Sequence, residues 1–157
     1  MIRLNVYVIL GLLDGYYTTF VISGVFKGTL AEVMLASMVI NLVTGTLSSY
    51  IINLARIREV ERILLVRRGY LKGSLIYREA LLTVILNGVE WSLSSAVGSL
   101  MAEVLRLTSG LLAFASSLAV PLLLTYILSR ILDIDYAPVA LLTVILTAAS
   151  YVLYMLR

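Results

Sequence analysis

The sequence contains no cysteine, no histidine and no glutamine, and charged residues make up only 13% of its 157 positions. Without cysteine and histidine the chain has no disulfides, no thiolate or imidazole metal sites and no haem ligands of these types. Any bound metal must be held by oxygen or by methionine sulfur, which favours hard or borderline divalent ions over zinc or copper. The shortage of thermolabile residues is consistent with a thermophilic source.

Apolar residues dominate instead: 61% of positions are hydrophobic and the mean hydropathy is +1.04. A soluble domain has about 25% charged residues, roughly twice the fraction found here. We therefore expect an all-α, polytopic integral membrane protein with a single domain over residues 1–157. The first apolar run is too long for a signal peptide and lacks a small-residue cleavage site, so we expect a retained helix. The sequence shows no nucleophile triad or phosphate-binding glycine loop, and neither an enzyme nor a permanently bound cofactor is expected.

Five apolar segments are each near or above the ~20 residues that a helix needs to cross a bilayer. They cover about 4–26, 30–54, 75–105, 111–130 and 137–156. Gly28-Thr29 and Ser109-Gly110 separate two pairs of segments, and Asp135 is placed to cap the last helix. The sequence thus predicts five transmembrane helices.

Basic residues predict the orientation of these helices, because cytoplasmic loops carry an excess of lysine and arginine. Between the end of the second segment and the first turn of the third lie Arg56, Arg58, Arg62, Arg67, Arg68, Lys72 and Arg78. If this segment is cytoplasmic, Arg3 and Arg130 are cytoplasmic too, and Lys27, Arg106 and Arg157 lie outside. Nine against three predicts a cytoplasmic N-terminus and an external C-terminus. We expect the protein to lie in the plasma membrane of a prokaryote.

The basic segment, about 55–74, also has apolar residues at helical spacing. This spacing predicts that the second helix continues to Gly69 and that Ser74 caps the third. The simpler interpretation is a surface segment that obeys the charge rule. The alternative is a site for a partner or for anionic lipid headgroups, near Arg56, Arg58, Arg62, Arg67 and Arg68. Because topology explains the positive charge, nucleic acid is not an expected partner.

Asp14 lies in the middle of the first apolar segment, where a carboxylate costs about 2.5–3.5 kcal/mol on insertion scales. It therefore needs a partner, a proton or a cation. Gly11 and Gly15 form a small-xxx-small pair that lets another helix approach, and Thr18 follows one turn later. We expect these three residues to form a helix-packing or dimer interface.

Two more polar residues, Asn41 and Glu90, fall near the same membrane depth as Asp14 at about 1.5 Å of rise per residue. Intramembrane ionisable residues mark a pathway, a proton relay or a structural pair. On the second helix, one face with 4-3-4-3 spacing carries Met34, Met38, Asn41, Gly45 and Ser48 or Ser49. These residues could line an ion path, or they could simply pack helices, which is the commoner use of methionine and small residues.

Residues 11–20 read Gly-Leu-Leu-Asp-Gly-Tyr-Tyr-Thr-Thr-Phe. The pattern Asp-Gly-x-x-Thr-Thr-Phe in a first membrane helix resembles the vacuolar iron transporter family. The resemblance implies five membrane helices, a homodimer, and export of Fe²⁺ or Mn²⁺ from the cytosol in exchange for protons. It also implies that Asp14 lines the ion path.

The second helix departs from this family, which usually reads Glu-x-x-Ala-Gly-Ala-x-Ser-Met. Residues 41–49 read Asn-Leu-Val-Thr-Gly-Thr-Leu-Ser-Ser, so Gly45 and Ser48 match. Asn41 replaces the pore glutamate and Ser49 replaces the pore methionine, while Met38 could supply the missing sulfur. The basic segment is too short and too positive for the glutamate-rich metal-collecting domain that some members carry.

Two functions follow from these observations. The first is transport of Fe²⁺ or Mn²⁺, with the ion path formed by Asp14, Met38, Asn41, Ser49 and Glu90. The second is a non-transporting membrane scaffold or assembly subunit that keeps the same fold. The Asp14 motif favours transport, and the changes at Asn41 and Ser49 favour the scaffold.

Overall fold

The computed structural model describes residues 6–25, 28–106 and 111–155, and these form five α-helices without strands. The helices are α1 (Val6–Val25), α2 (Leu30–Ile63), α3 (Leu75–Arg106), α4 (Leu111–Leu132) and α5 (Tyr136–Met155). The expected all-α architecture with five helices is therefore confirmed. Five residues named above lie outside the described ranges, namely Arg3, Lys27, Ser109, Gly110 and Arg157.

Within these ranges, three helices are long and apolar enough to cross a membrane, namely α1, α2 and α3. The described apolar stretches of α4 and α5 are shorter, covering Ser117–Leu132 and Tyr136–Ser150. The apolar helices are compatible with an integral membrane protein.

The distribution of side chains is inverted relative to a soluble protein, which buries its large aliphatic residues. Val43 and Leu86 are 62% and 63% exposed, whereas Ser95 and Ser99 are fully buried. Small residues at helix contacts let backbones approach, and outward aliphatic side chains suit a lipid surround. The bundle is thus held together by small and polar residues and presents an aliphatic surface.

Helix α3 lies centrally, because it packs along both α1 and α2. Gly11 lies against Trp91 and Gly15 against Ser95, so α1 and α3 run parallel. In contrast, α2 runs antiparallel to α3, because Ser49 contacts Asn87 whereas the earlier Met38 contacts the later Ser92.

Helices α4 and α5 form an antiparallel pair that packs on α1. The hydroxyl groups of Thr125 and Thr143 lie 2.9 Å apart within the pair. Tyr16 on α1 donates its hydroxyl to the Ser117 carbonyl at 2.9 Å, and the Tyr17 hydroxyl lies 3.1 Å from that of Thr147. Two neighbouring tyrosines therefore attach α1 to both members of the pair.

Helix α2 continues beyond residue 54 but ends at Ile63, so the prediction that it reaches Gly69 is wrong. Leu65 adopts a left-handed conformation with φ of 54°, and Val66 N–H donates to the Glu61 carbonyl at 3.1 Å. This six-to-one bond is the Schellman helix ending, which normally uses glycine at the left-handed position. Because leucine occupies this position here, the sequence pattern placed the end of the helix at the next glycine, Gly69, instead.

Candidate functional site

The Asp14 side chain is held by a tryptophan on α3. Trp91 Nε1 donates to Asp14 Oδ2 at 3.0 Å, and the carboxylate is half-buried. The indole also packs over Gly45 of α2, where an added Cβ would lie 2.8 Å from Trp91 Cγ. Tyr7 approaches from α1 with its ring centroid 6.1 Å from that of the indole. Trp91 thus joins α1, α2 and α3 at the level of Asp14.

The hydrogen bond from Trp91 does not neutralise the charge of Asp14, because the indole N–H is a neutral donor. The surrounding helices contribute no cation at this level. Helix α1 contains no lysine or arginine, α2 has none before Arg56, and α3 has none between Arg78 and Arg106. Asp14 therefore either is ionised and pairs with a cation from elsewhere, or is neutral and carries a proton.

Gly11 and Gly15 mediate the approach of α1 to α3 within one chain. A Cβ at Gly11 would meet the Trp91 carbonyl, and one at Gly15 would meet the backbone of Ser95. The Gly15 carbonyl also accepts hydrogen bonds from Thr19 at 2.8 Å and Ser99 at 3.3 Å.

In the structure, therefore, these two glycines pack against a helix of the same chain. It does not present the face they form to a second copy, as the dimer interpretation required. Thr18 is half-buried beside this contact.

The predicted polar face of α2 is largely engaged in packing against α3. The Ser49 hydroxyl accepts from Asn87 Nδ2 at 2.9 Å and from Asn53 Nδ2 at 3.3 Å. Nearer the N-terminus of α2, on the same contact, Ser92 donates its hydroxyl to the Met38 carbonyl at 2.9 Å. Asn41 is 1% exposed, and its amide donates to Ser37 at 3.2 Å.

The buried face of α2 repeats every four residues, as Ser37, Asn41, Gly45 and Ser49. Met34, Met38 and Ser48 are half-buried at its edges, so the predicted 4-3-4-3 face is rotated slightly from the observed one. Glu90 is half-buried and precedes Trp91 on α3. In the described ranges no group of three or more aspartate, glutamate, histidine or cysteine side chains is placed to hold a metal ion.

Two residues that contribute to this site were not identified from the sequence, Trp91 and Asn87. Both lie on α3, one turn apart. Their partners on α1 and α2 are 77 and 38 positions away. A single sequence contains no signal for such long-range pairs, although an indole N–H at membrane depth does predict a nearby acceptor.

Comparisons of the chain with protein-family models, with curated proteins and with solved structures found no match.

Proposed function

We propose that this protein transports divalent metal ions, Fe²⁺ or Mn²⁺, across a membrane, with Asp14 as the ion-binding group. The observation that carries the proposal is the environment of the carboxylate. Asp14 is held by a neutral donor, Trp91, in a layer of the bundle at which α1, α2 and α3 carry no lysine or arginine. A structural salt bridge would provide a basic partner, whereas an exchangeable cation site would leave that place open.

Proton exchange follows from the same chemistry. When no metal is present, a proton on Asp14 avoids the cost of a bare charge in a low-dielectric medium. A metal ion binds only the deprotonated carboxylate, so its arrival releases the proton. We propose export from the cytosol coupled to this exchange, with Glu90 as the onward proton acceptor.

A homodimer would complete the ligand set, because hard and borderline divalent ions of this type take about six ligands and one chain offers few. Two Asp14 side chains near a two-fold axis would provide two carboxylates. Since Gly11 and Gly15 are covered by α3, the dimer contact must use another face of the bundle.

The proposed topology has five membrane-spanning helices in a prokaryotic plasma membrane, with the N-terminus and the 64–74 connection in the cytoplasm. The natural chain has no cysteine, so a single engineered one can be labelled without background. Arg67 is exposed in the connection, and Arg67→Cys should react with a membrane-impermeant maleimide only after the cells are opened. Labelling from outside intact cells would contradict the orientation.

Ion uptake into proteoliposomes tests the proposed activity. Vesicles that contain the purified chain should accumulate Mn²⁺ faster than protein-free vesicles, and an opposing proton gradient should increase the rate. A leak of the bilayer itself is excluded by following a trapped anionic dye in the same vesicles.

The alternative function, a non-transporting scaffold, is favoured by the α2–α3 contact. Asn41 and Ser49, which stand where the resembled family has metal ligands, are buried and hydrogen-bonded within the bundle. If no ion is accumulated over a range of metals and proton gradients, the scaffold becomes the better account.

A further inference from the structure

A cavity of about 290 Å³ opens where the end of α2, the 64–74 connection and the start of α3 meet. Three cationic side chains line it: Arg58, Arg68 and Lys72. Tyr50 and Tyr77 also contribute to the wall. Guanidinium, ammonium and hydroxyl donors around one cavity are the groups that proteins use to bind phosphate.

The lining also includes one carboxylate, Glu61, which is already hydrogen-bonded to the backbone. Glu61 is 4% exposed, and its two oxygens accept the N–H groups of Gly69 and Leu71, each at 3.0 Å. These bonds attach the connection to α2 and so position Arg68 and Lys72. Arg58 and Arg68 interact electrostatically with Glu61, but three cations against one carboxylate leave the cavity positively charged.

A shallow, mostly apolar groove continues from this cavity along the α2–α3 contact. The two share Tyr50, Leu54, Ile57 and Tyr77, and the groove is further lined by Asn53, Ala80, Leu81 and Val84. Arginine is too costly to place in the hydrocarbon of a bilayer, so Arg58 marks the headgroup level. The groove therefore runs from the headgroup level into the hydrocarbon layer.

We propose that the cavity and groove together bind one anionic phospholipid. Its phosphate lies among Arg58, Arg68 and Lys72, and an acyl chain follows the groove beside Leu81. A free phosphate compound would satisfy the same cations but would leave the apolar groove unfilled. The proposal requires only that the bundle lies in a membrane, and it is independent of any transport activity.

Lipid binding to the full chain in a neutral detergent, counted by native mass spectrometry, tests this site. We expect phosphatidylglycerol to bind at least about tenfold more tightly than phosphatidylcholine, since only the former carries net charge. The cavity variant is Arg58→Gln with Arg68→Gln and Lys72→Gln. The control variant removes the same charge at exposed positions that do not line the cavity, Arg56→Gln with Arg62→Gln and Arg67→Gln.

The cavity variant should lose about tenfold or more in affinity for phosphatidylglycerol, and the control variant less than about threefold. The loss of diffuse attraction is the same in both variants, because it depends only on total charge, so the difference between them measures the contacts in the cavity. Equal losses in the two variants would overturn the proposal in favour of a general basic surface. All six substituted side chains are exposed, so both variants should fold.

A second pair of variants separates a lipid from a soluble phosphate compound. Leu81→Trp fills the groove, and Leu82→Trp places the same ring on the neighbouring residue, which does not line the groove. We expect only Leu81→Trp to weaken phosphatidylglycerol binding, and we expect millimolar inorganic phosphate not to displace the lipid. If inorganic phosphate competes and Leu81→Trp has no effect, the site takes soluble phosphate and the lipid proposal is wrong.

Discussion

Trp91 Nε1 donates a hydrogen bond to Asp14 Oδ2 at 3.0 Å, across the contact between α3 and α1. Trp91 is the single tryptophan of the chain. Its fluorescence therefore reports on the surroundings of Asp14 without interference from other indoles.

Binding of Mn²⁺ at Asp14 should change the fluorescence of Trp91. A paramagnetic ion a few ångströms from the ring quenches its emission, and a charged ligand at the carboxylate alters the hydrogen bond that the indole makes. We expect a saturable decrease on titration of the detergent-solubilised protein with Mn²⁺. The same titration of Asp14→Asn should show only a weak, linear decrease from collisions. A saturable change of equal size in Asp14→Asn would place the ion elsewhere.

Removal of the indole donor should destabilise the bundle. Hydrogen bonds to charged groups contribute about 1.5–3 kcal/mol, so Trp91→Phe should lower the free energy of unfolding by a similar amount if Asp14 is ionised. Reversible unfolding in mixed micelles, followed by circular dichroism, provides the measurement.

A double-mutant cycle isolates this bond from the packing of the ring. In the Asp14→Asn background the same tryptophan substitution should cost less, because an amide oxygen is a weaker acceptor than a carboxylate. Equal costs in the two backgrounds would mean that Trp91 stabilises the bundle by packing alone.

The close approach of α1 and α3 predicts a cost for any side chain at Gly15. Gly15→Ala places a methyl group against the backbone of Ser95 and should lower stability by about 1–3 kcal/mol. Val21→Leu also enlarges a side chain of α1, but at a position that is 43% exposed, and should change stability by less than about 0.5 kcal/mol. Light scattering on both variants records oligomeric state. A Gly15→Ala variant of normal stability that no longer dimerises would restore the dimer interpretation of this residue.

Ser49 should matter for stability and not for ion flux. Its hydroxyl accepts from Asn87 across the α2–α3 contact, and such bonds in membrane proteins average about 0.6 kcal/mol, with a maximum of about 1.7. We expect Ser49→Ala to lower stability by about that amount and to retain Mn²⁺ uptake. Ser48→Ala, beside it, should have a smaller effect on stability because Ser48 is only half-buried. Loss of uptake in a stable Ser49→Ala protein would return Ser49 to the ion path.

The sequence predicted the features that depend on local pattern. Long apolar runs predicted the five helices, and the small-xxx-small spacing of Gly11 and Gly15 predicted that another helix approaches α1. It did not predict which helix, because the same bare surface serves an intrachain neighbour or a second copy equally well. The structure assigns this surface to α3.

The partners of the polar side chains could not be predicted from the sequence for a similar reason. Asp14 predicted that a partner or a cation is needed, but Trp91 as its hydrogen-bond donor follows from the register between two helices, which a single sequence does not specify. The sequence predicted a surface segment around Glu61, yet Glu61 is buried because a non-glycine Schellman ending turns the chain back over it.

Uptake of Mn²⁺ into sealed proteoliposomes, with parent and Asp14→Asn at matched protein density, tests the role of Asp14 most directly. The amide oxygen of the variant can still accept the Trp91 bond, so the fold should persist while the negative charge is lost. Glu59→Gln makes the same carboxylate-to-amide change at an exposed position of α2. We expect uptake by the parent and by Glu59→Gln, and uptake by Asp14→Asn no greater than that of protein-free vesicles. Equal uptake by the parent and Asp14→Asn would contradict the assignment of Asp14 as the ion-binding residue.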